Sequence, residues 1–218
     1  KSYIPQGEAS LEGTSYDLYN ENDIKIRTIK IDSNGNGSTQ DLAYGTYYLK
    51  EKTTGIGYKL DDNKYEVTIT KSSPIKNITL SNEVIKSKIK IHKLYKPLNT
   101  EKTYDEENAI FIFYNNKNEK VGEIKTDKNG FGELVLPYGN YLVKQQSGKE
   151  NYKKIEKFTI NINEESKHEI EYKLVNEEYG SSLKIVKLDN TSNLPIRLSE
   201  TSFKIKNILG KEDEKDET

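Results

Sequence analysis

Two stretches of this 218-residue chain read as copies of one another. Ile31–Tyr58, IDSNGNGSTQDLAYGTYYLKEKTTGIGY, returns as Thr126–Tyr152, TDKNGFGELVLPYGNYLVKQQSGKENY. Asp32, Asn34, Gly35 and Gly37 recur as Asp127, Asn129, Gly130 and Gly132. Tyr44, Gly45, Tyr47 and Tyr58 recur as Tyr138, Gly139, Tyr141 and Tyr152. The offset is 95 residues from Asp32 to Asp127 and 94 from Tyr44 to Tyr138, one domain length. Flanking segments follow the same repeat. TSYDLYN (Thr14–Asn20) matches AIFIFYN (Ala109–Asn115) and TSFKIKN (Thr201–Asn207); TLSNEV (Thr79–Val84) matches KLVNEE (Lys173–Glu178); SKIKIHKLY (Ser87–Tyr95) matches SSLKIVKLD (Ser181–Asp189). The expected division is residues 1–84, a domain lacking its first strand; 85–179, a whole domain; and 180–218, the start of a third. The short connections at Val84–Lys86 and Glu178–Gly180 set such domains end to end.

Inside each unit, polar and apolar residues alternate with period two, and turn signals recur about every 8 to 12 residues, the pattern of an all-β sandwich. Sixteen tyrosines and many Thr, Ile and Val suit strands. Asn34–Gly35 and Asn129–Gly130 are read as hairpin turns. The acidic end GKEDEKDET reads as solvent-exposed.

Composition removes several function classes. The chain holds 35 acidic and 34 basic residues, leaving no cationic excess to neutralise phosphates, so nucleic acid is not an expected partner. It contains no 18-residue apolar run, so no membrane insertion is expected of it. It also has no cysteine, which excludes disulfides, thiolate metal sites and cysteine nucleophiles. A secreted domain this polar often relies on such a staple, so another kind is sought. The only histidines, His92 and His168, lie on an outward strand face and in the polar run NEESKHE, which gives neither a metal site nor a triad. DSNGNG (Asp32–Gly37) opens like a calcium loop, but Ala43 stands where the bidentate glutamate belongs, so it is read as a turn. No cofactor is expected.

Strand parity does locate polar groups inside. In Ser87–Tyr95, Ile89, Ile91 and Lys93 share one face while Lys88, Lys90 and His92 share the other, so Lys93 points into the core. Asn176 shares a face with Ile170, Tyr172 and Leu174. In the first domain Asn82 falls in line with Ile78, Leu80 and Val84, and Glu51 with Tyr47 and Leu49. Lys187 repeats the lysine pattern behind Leu183 and Ile185. A lone buried lysine is costly unless it is paired, neutral or covalently consumed.

The motifs LEGTSYDLY, DxNGxG, LxYGxYxLxE and the closing LSNEV, in this order and repeated, resemble the Cna B-type or SpaA-like prealbumin-fold domains of Gram-positive surface proteins. The resemblance covers almost the whole chain. It implies tandem Ig-like β-sandwiches in an extracellular, cell-wall-anchored adhesin or pilin, held to the wall by a sortase-attached segment elsewhere. It also implies an intramolecular isopeptide bond between a first-strand lysine and a last-strand asparagine, with a mid-strand glutamate carrying protons. On these positions the second domain offers Lys93 and Asn176, but Gln145 stands in place of the acid and cannot carry a proton. The first offers Glu51 and Asn82, with Lys1 as the nearest lysine, and the third offers Lys187 alone.

Each residue has a plainer reading. Lys93 and Lys187 can be strand-end lysines reaching water, and Glu51 with Asn82 a hydrogen-bonded polar pair. The tyrosines of the GTYYL and GNYLV strands are read as packing residues. The expected function is structural and non-enzymatic, a stalk or backbone of an adhesin or pilin. The alternatives are a module that binds host matrix (collagen or fibronectin) and an accessory domain of a secreted hydrolase.

Overall fold

The computed structural model describes residues 6–195. Strands and no helices are found there. The first repeat forms one antiparallel sheet in the order β2-β1-β3-β4, from β1 (Ser15–Asn20), β2 (Lys25–Lys30), β3 (Gly45–Thr53) and β4 (Lys64–Ile69). Its inner face carries Tyr16, Leu18, Tyr47 and Leu49, alternate residues of the two central strands.

The second repeat builds the same sheet and a second one against it. β7 (Ile110–Tyr114), β8 (Lys120–Lys125), β10 (Gly139–Ser147) and β11 (Phe158–Ile162) pair as β11-β10-β7-β8, all antiparallel. The opposing sheet is organised by β5 (Lys86–Lys96). β12 (Glu169–Glu177) runs parallel to it along one edge. β9 (Phe131–Pro137) and the short β6 (Tyr104–Asp105) share the other edge. Ile89 and Ile91 from β5 meet Phe111, Phe113, Val143, Ile160 and Ile162 from the facing sheet in a dry core. The outward residues of β5 are matched by charge: Lys88 pairs with Glu169 at 3.2 Å and Lys90 with Glu171 at 3.7 Å.

Three expectations differ from the structure. The Asn-Gly turns are not two-residue hairpins. In each, the aspartate carboxylate accepts backbone N–H groups at 2.9 Å, from Asn34 and Asn36 at Asp32 and from Asn129 and Phe131 at Asp127. Only the glycine takes positive φ, 80° at Gly35 and 75° at Gly130. The turn after β8 leads into β9, which pairs with β5 in the other sheet. Second, residues 78–84 of the first repeat form no strand, and Ile78 is exposed. In the second repeat the matching segment, β12, hydrogen-bonds along β5; among the described residues the first repeat has no strand in that place. Third, residues 181–187 form no strand and Leu183, Ile185 and Lys187 are all exposed, since no ladder partner stands beside them among the described residues. That last segment belongs to a separate unit beginning at Gly180. Lys1 and the repeat at Thr201–Asn207 lie outside the described residues.

The first two repeats meet through main-chain hydrogen bonds. Ile85 donates to Gly57 O at 2.9 Å, Tyr138 donates to Ile85 O at 2.8 Å, and Glu8 donates to Tyr138 O at 2.8 Å. Gly57 has φ +78°, and a Cβ there would lie 2.6 Å from Tyr138 Cγ, so this junction requires glycine.

Candidate functional site: a buried lysine, two carboxamides and an acid

Lys93 is 0% exposed and Asn176 1% exposed. The register pairs Lys93 with Leu174 and Tyr95 with Asn176. Lys93 and Asn176 are thus diagonal neighbours on adjacent parallel strands and point to the same side. Both carboxamide atoms of Asn176, Nδ2 and Oδ1, are buried with no hydrogen-bond partner among the described residues. A native structure rarely leaves an amide so undersatisfied without a functional reason.

The cation of Lys93 is met by Glu106, itself 3% exposed: Nζ lies 2.7 Å from Oε2. Nζ also donates to Leu94 O. Burial pushes the Lys93 amine below the usual lysine range, with Glu106 opposing that shift. Glu106 is held at every polar atom. Its N–H donates to Lys93 O at 2.9 Å, its carbonyl accepts the Thr126 hydroxyl at 2.6 Å, and its Oε1 accepts Lys149 N–H at 2.7 Å. Lys93 N–H in turn donates to Gly130 O at 2.7 Å, and a Cβ on Gly130 would clash with the Lys93 carbonyl.

Gln145 is buried in the same place. Its Oε1 accepts Ile155 N–H at 2.8 Å, which ties β10 to the following loop, and its Nε2 donates to Ser147 O at 3.1 Å, at the strand's own end. Gly148 closes the cluster. A Cβ there would lie 2.8 Å from Glu106 Oε1 and 3.4 Å from Asn176 Nδ2, and would clash with Gln145 Nε2. Lysine, glutamate and asparagine are therefore gathered at one end of the sandwich.

Strand parity does not place Glu106, which lies between strands, in DEEN, where alternation gives no face. A signal existed nonetheless. Extending the Thr14/Ala109 match by three residues sets Glu106 against Leu11, an acid in an apolar position.

In the first repeat, Glu51 is 3% exposed and its Oε2 accepts Asn82 Nδ2 at 2.7 Å and Asp61 N–H at 2.7 Å. Asn82 also donates to Lys59 O at 3.1 Å. No lysine pairs with Glu51 among the described residues. Across the strand pair from Glu51, Tyr16 has its phenol pushed up to about 12, by burial first and then by the Glu51 and Asp61 carboxylates. Lys187 is exposed and forms no such cluster. His92 sits 2.8 Å from Asp105 and stacks on Phe131 at 4.1 Å, an outer-face contact. No group of three or more metal-ligating side chains occurs among the described residues.

Two repeats of one sandwich plan, the second with a first-strand lysine against a last-strand asparagine, define a tandem prealbumin-like protein. Residues 5–84 and 92–178 match the SpaA family, a prealbumin-like fold domain, and the chain belongs to that family. Among solved structures it resembles the Bacillus anthracis TIE protein, at 26% identity and a TM-score of 0.64, over 79% of this chain and 32% of that one. It also resembles a C-terminal fragment of the pilus adhesin SpaC from Lactobacillus rhamnosus GG, at 14% identity and a TM-score of 0.50, over 80% of this chain and 93% of the fragment. The chain thus spans about a third of the TIE protein's length. No curated protein sequence matches it.

Proposed function

We propose that the chain is a stretch of the stalk of a Gram-positive adhesin or pilus, working outside the cell on a wall-anchored protein. Its role is structural. In this reading Lys93 and Asn176 become joined by an isopeptide bond, which supplies the staple that a cysteine-free chain lacks. The observation that carries the reading is the ladder between β5 and β12. These are the first and last strands of the complete domain, they lie side by side, and a buried lysine on one faces an unsatisfied asparagine on the other. Load entering and leaving the domain passes through these two strands. Membership of the SpaA family and the likeness to a pilus adhesin fragment support the setting. The parent protein's wall anchor, through a sortase-attached segment outside this chain, belongs to the same reading, as do the domain limits 85–179 for the crosslinked unit.

Intact-mass spectrometry tests the bond. Loss of ammonia lowers the mass by about 17 Da per crosslink, and a Lys93–Asn176 branched peptide should appear after proteolysis. Lys93→Met should restore the full mass. A wild-type chain of unshifted mass would refute the crosslink. For the stalk, small-angle scattering from residues 6–179 should give an extended, stiff particle; a flexibly hinged ensemble would count against it.

A further inference from the structure

The crosslinking reading leaves the proton carrier unassigned, because the residue at the glutamate position of the second repeat is Gln145. We propose that Glu106 is the catalytic acid of this domain, supplied from the segment before β7 instead of from β10; the proposal rests on the Lys93–Asn176 crosslink reading.

Three observations converge on it. The first is contact: Glu106 Oε2 is 2.7 Å from Lys93 Nζ, the attacking atom. Its other oxygen, Oε1, lies on the amide side, within 2.8 Å of the point at Gly148 from which Asn176 Nδ2 is 3.4 Å away. One carboxyl group thus touches the nucleophile and lies close to the leaving group, with no hydrogen bond between Glu106 and Asn176 before reaction. The second is immobilisation. Hydrogen bonds at its N–H, its carbonyl and Oε1 fix the carboxyl without solvent, as a positioned acid requires. The third is a reciprocal exchange between repeats. The first repeat has Leu11 and Glu51 where the second has Glu106 and Gln145. The structure confirms that equivalence locally: a Cβ on Gly35 would meet Leu11, and a Cβ on the matching Gly130 would meet Glu106 N. Each repeat carries one acid, in a different place.

The reaction balances with these groups alone. Lys93 passes a proton to Glu106, giving a neutral amine and a protonated acid. The acid donates a hydrogen bond to Asn176 Oδ1 while Nζ attacks Cγ. Glu106 then delivers its proton to Nδ2 and, as the carboxylate so formed, takes one from Nζ. The Cγ–Nδ2 bond breaks, the Nζ–Cγ amide remains, and the departing ammonia takes the last proton as ammonium, returning the carboxylate. Gln145 holds the loop through its hydrogen bond from Ile155 N–H and handles no proton.

The test uses the full 218-residue chain and intact mass, with circular dichroism reporting the fold. Wild type should lack about 17 Da. Glu106→Gln, nearly isosteric, should keep its β-sheet spectrum and its full mass, formation of the bond being slowed at least about 100-fold. A Glu106→Gln chain that still loses ammonia overturns the assignment and leaves the crosslink standing. Wild type at full mass overturns both. If Glu106→Gln does not fold, the Leu11/Glu51 arrangement decides. Glu106→Leu with Gln145→Glu should recover the loss and Glu106→Leu alone should not; crosslinking in the single variant overturns the proposal.

Discussion

Tyr16 in β1 and Tyr141 in β10 are both interior, and both phenols are pushed up to about 12, mainly by burial. A phenol held above its ordinary value of about 10 favours folding fully below pH 10. That contribution is lost as pH rises through 12, because the unfolded chain ionises first. Spectrophotometric titration should therefore show late-ionising tyrosines that appear together with alkaline unfolding. Tyr16→Phe and Tyr141→Phe should each remove one of them, and a titration with neither change would contradict the interior placement. At this scale parity did much of the work. A lysine and an asparagine in apolar stripes needed only alternation to be set inside, and Lys93, Asn176, Gln145 and Glu51 are all buried. Glu106 obeys no parity. Asp105, Glu106 and Glu107 are chemically alike, and a hydrogen bond to Lys93, distant in sequence, decides which of them turns inward.

At the level of the element, β5 is the member on which its sheet depends, since β12, β9 and β6 all pair with it. The first repeat shows the converse. Its β1–β4 sheet closes on its own ladder, whereas residues 74–83 follow the same sequence rhythm as β12 with no strand to pair with among the described residues. Hydrogen exchange should separate the two cases. Amides of β5 and β12 should exchange among the slowest in the chain, and those of residues 74–83 orders of magnitude faster. Comparable protection of the two segments would mean that the first repeat forms a second sheet after all. Alternation states which face a residue would take if a strand forms, but a strand forms only against a partner, and partnership is a property of the whole sheet. The turns fell short for a similar reason: Asp-x-Asn-Gly sets a local bend, and the neighbours of the following strand decide which sheet it joins.

Across the whole molecule, the repeats differ in how they are closed, and their stabilities should differ accordingly. In the chain-entropy view, a link between Lys93 and Asn176 constrains the unfolded domain by roughly 4 kcal/mol. At this domain size that raises melting by about 20 °C. Calorimetry should resolve two transitions, and Asn176→Ala, which keeps the Lys93–Glu106 pair, should lower the upper one alone. Movement of both transitions by the same amount would show that the repeats unfold as one body. Their junction is a further point of control. Gly57→Ala places a methyl against the Tyr138 ring at positive φ and should cost about 1–3 kcal/mol.

The parallel arrangement of β5 and β12 has a mechanical consequence. Tension applied to a parallel pair through the start of one strand and the end of the other pulls the strands past each other lengthwise, so every rung of the nine-residue ladder from Glu169 to Glu177 resists at once. An antiparallel hairpin pulled from its open end would instead peel one rung at a time. With Lys93 and Asn176 fused, the pulling path would run along β5, across the amide and out through the last residue of β12. Everything folded between those two residues would hang beside the taut line, carrying none of the force.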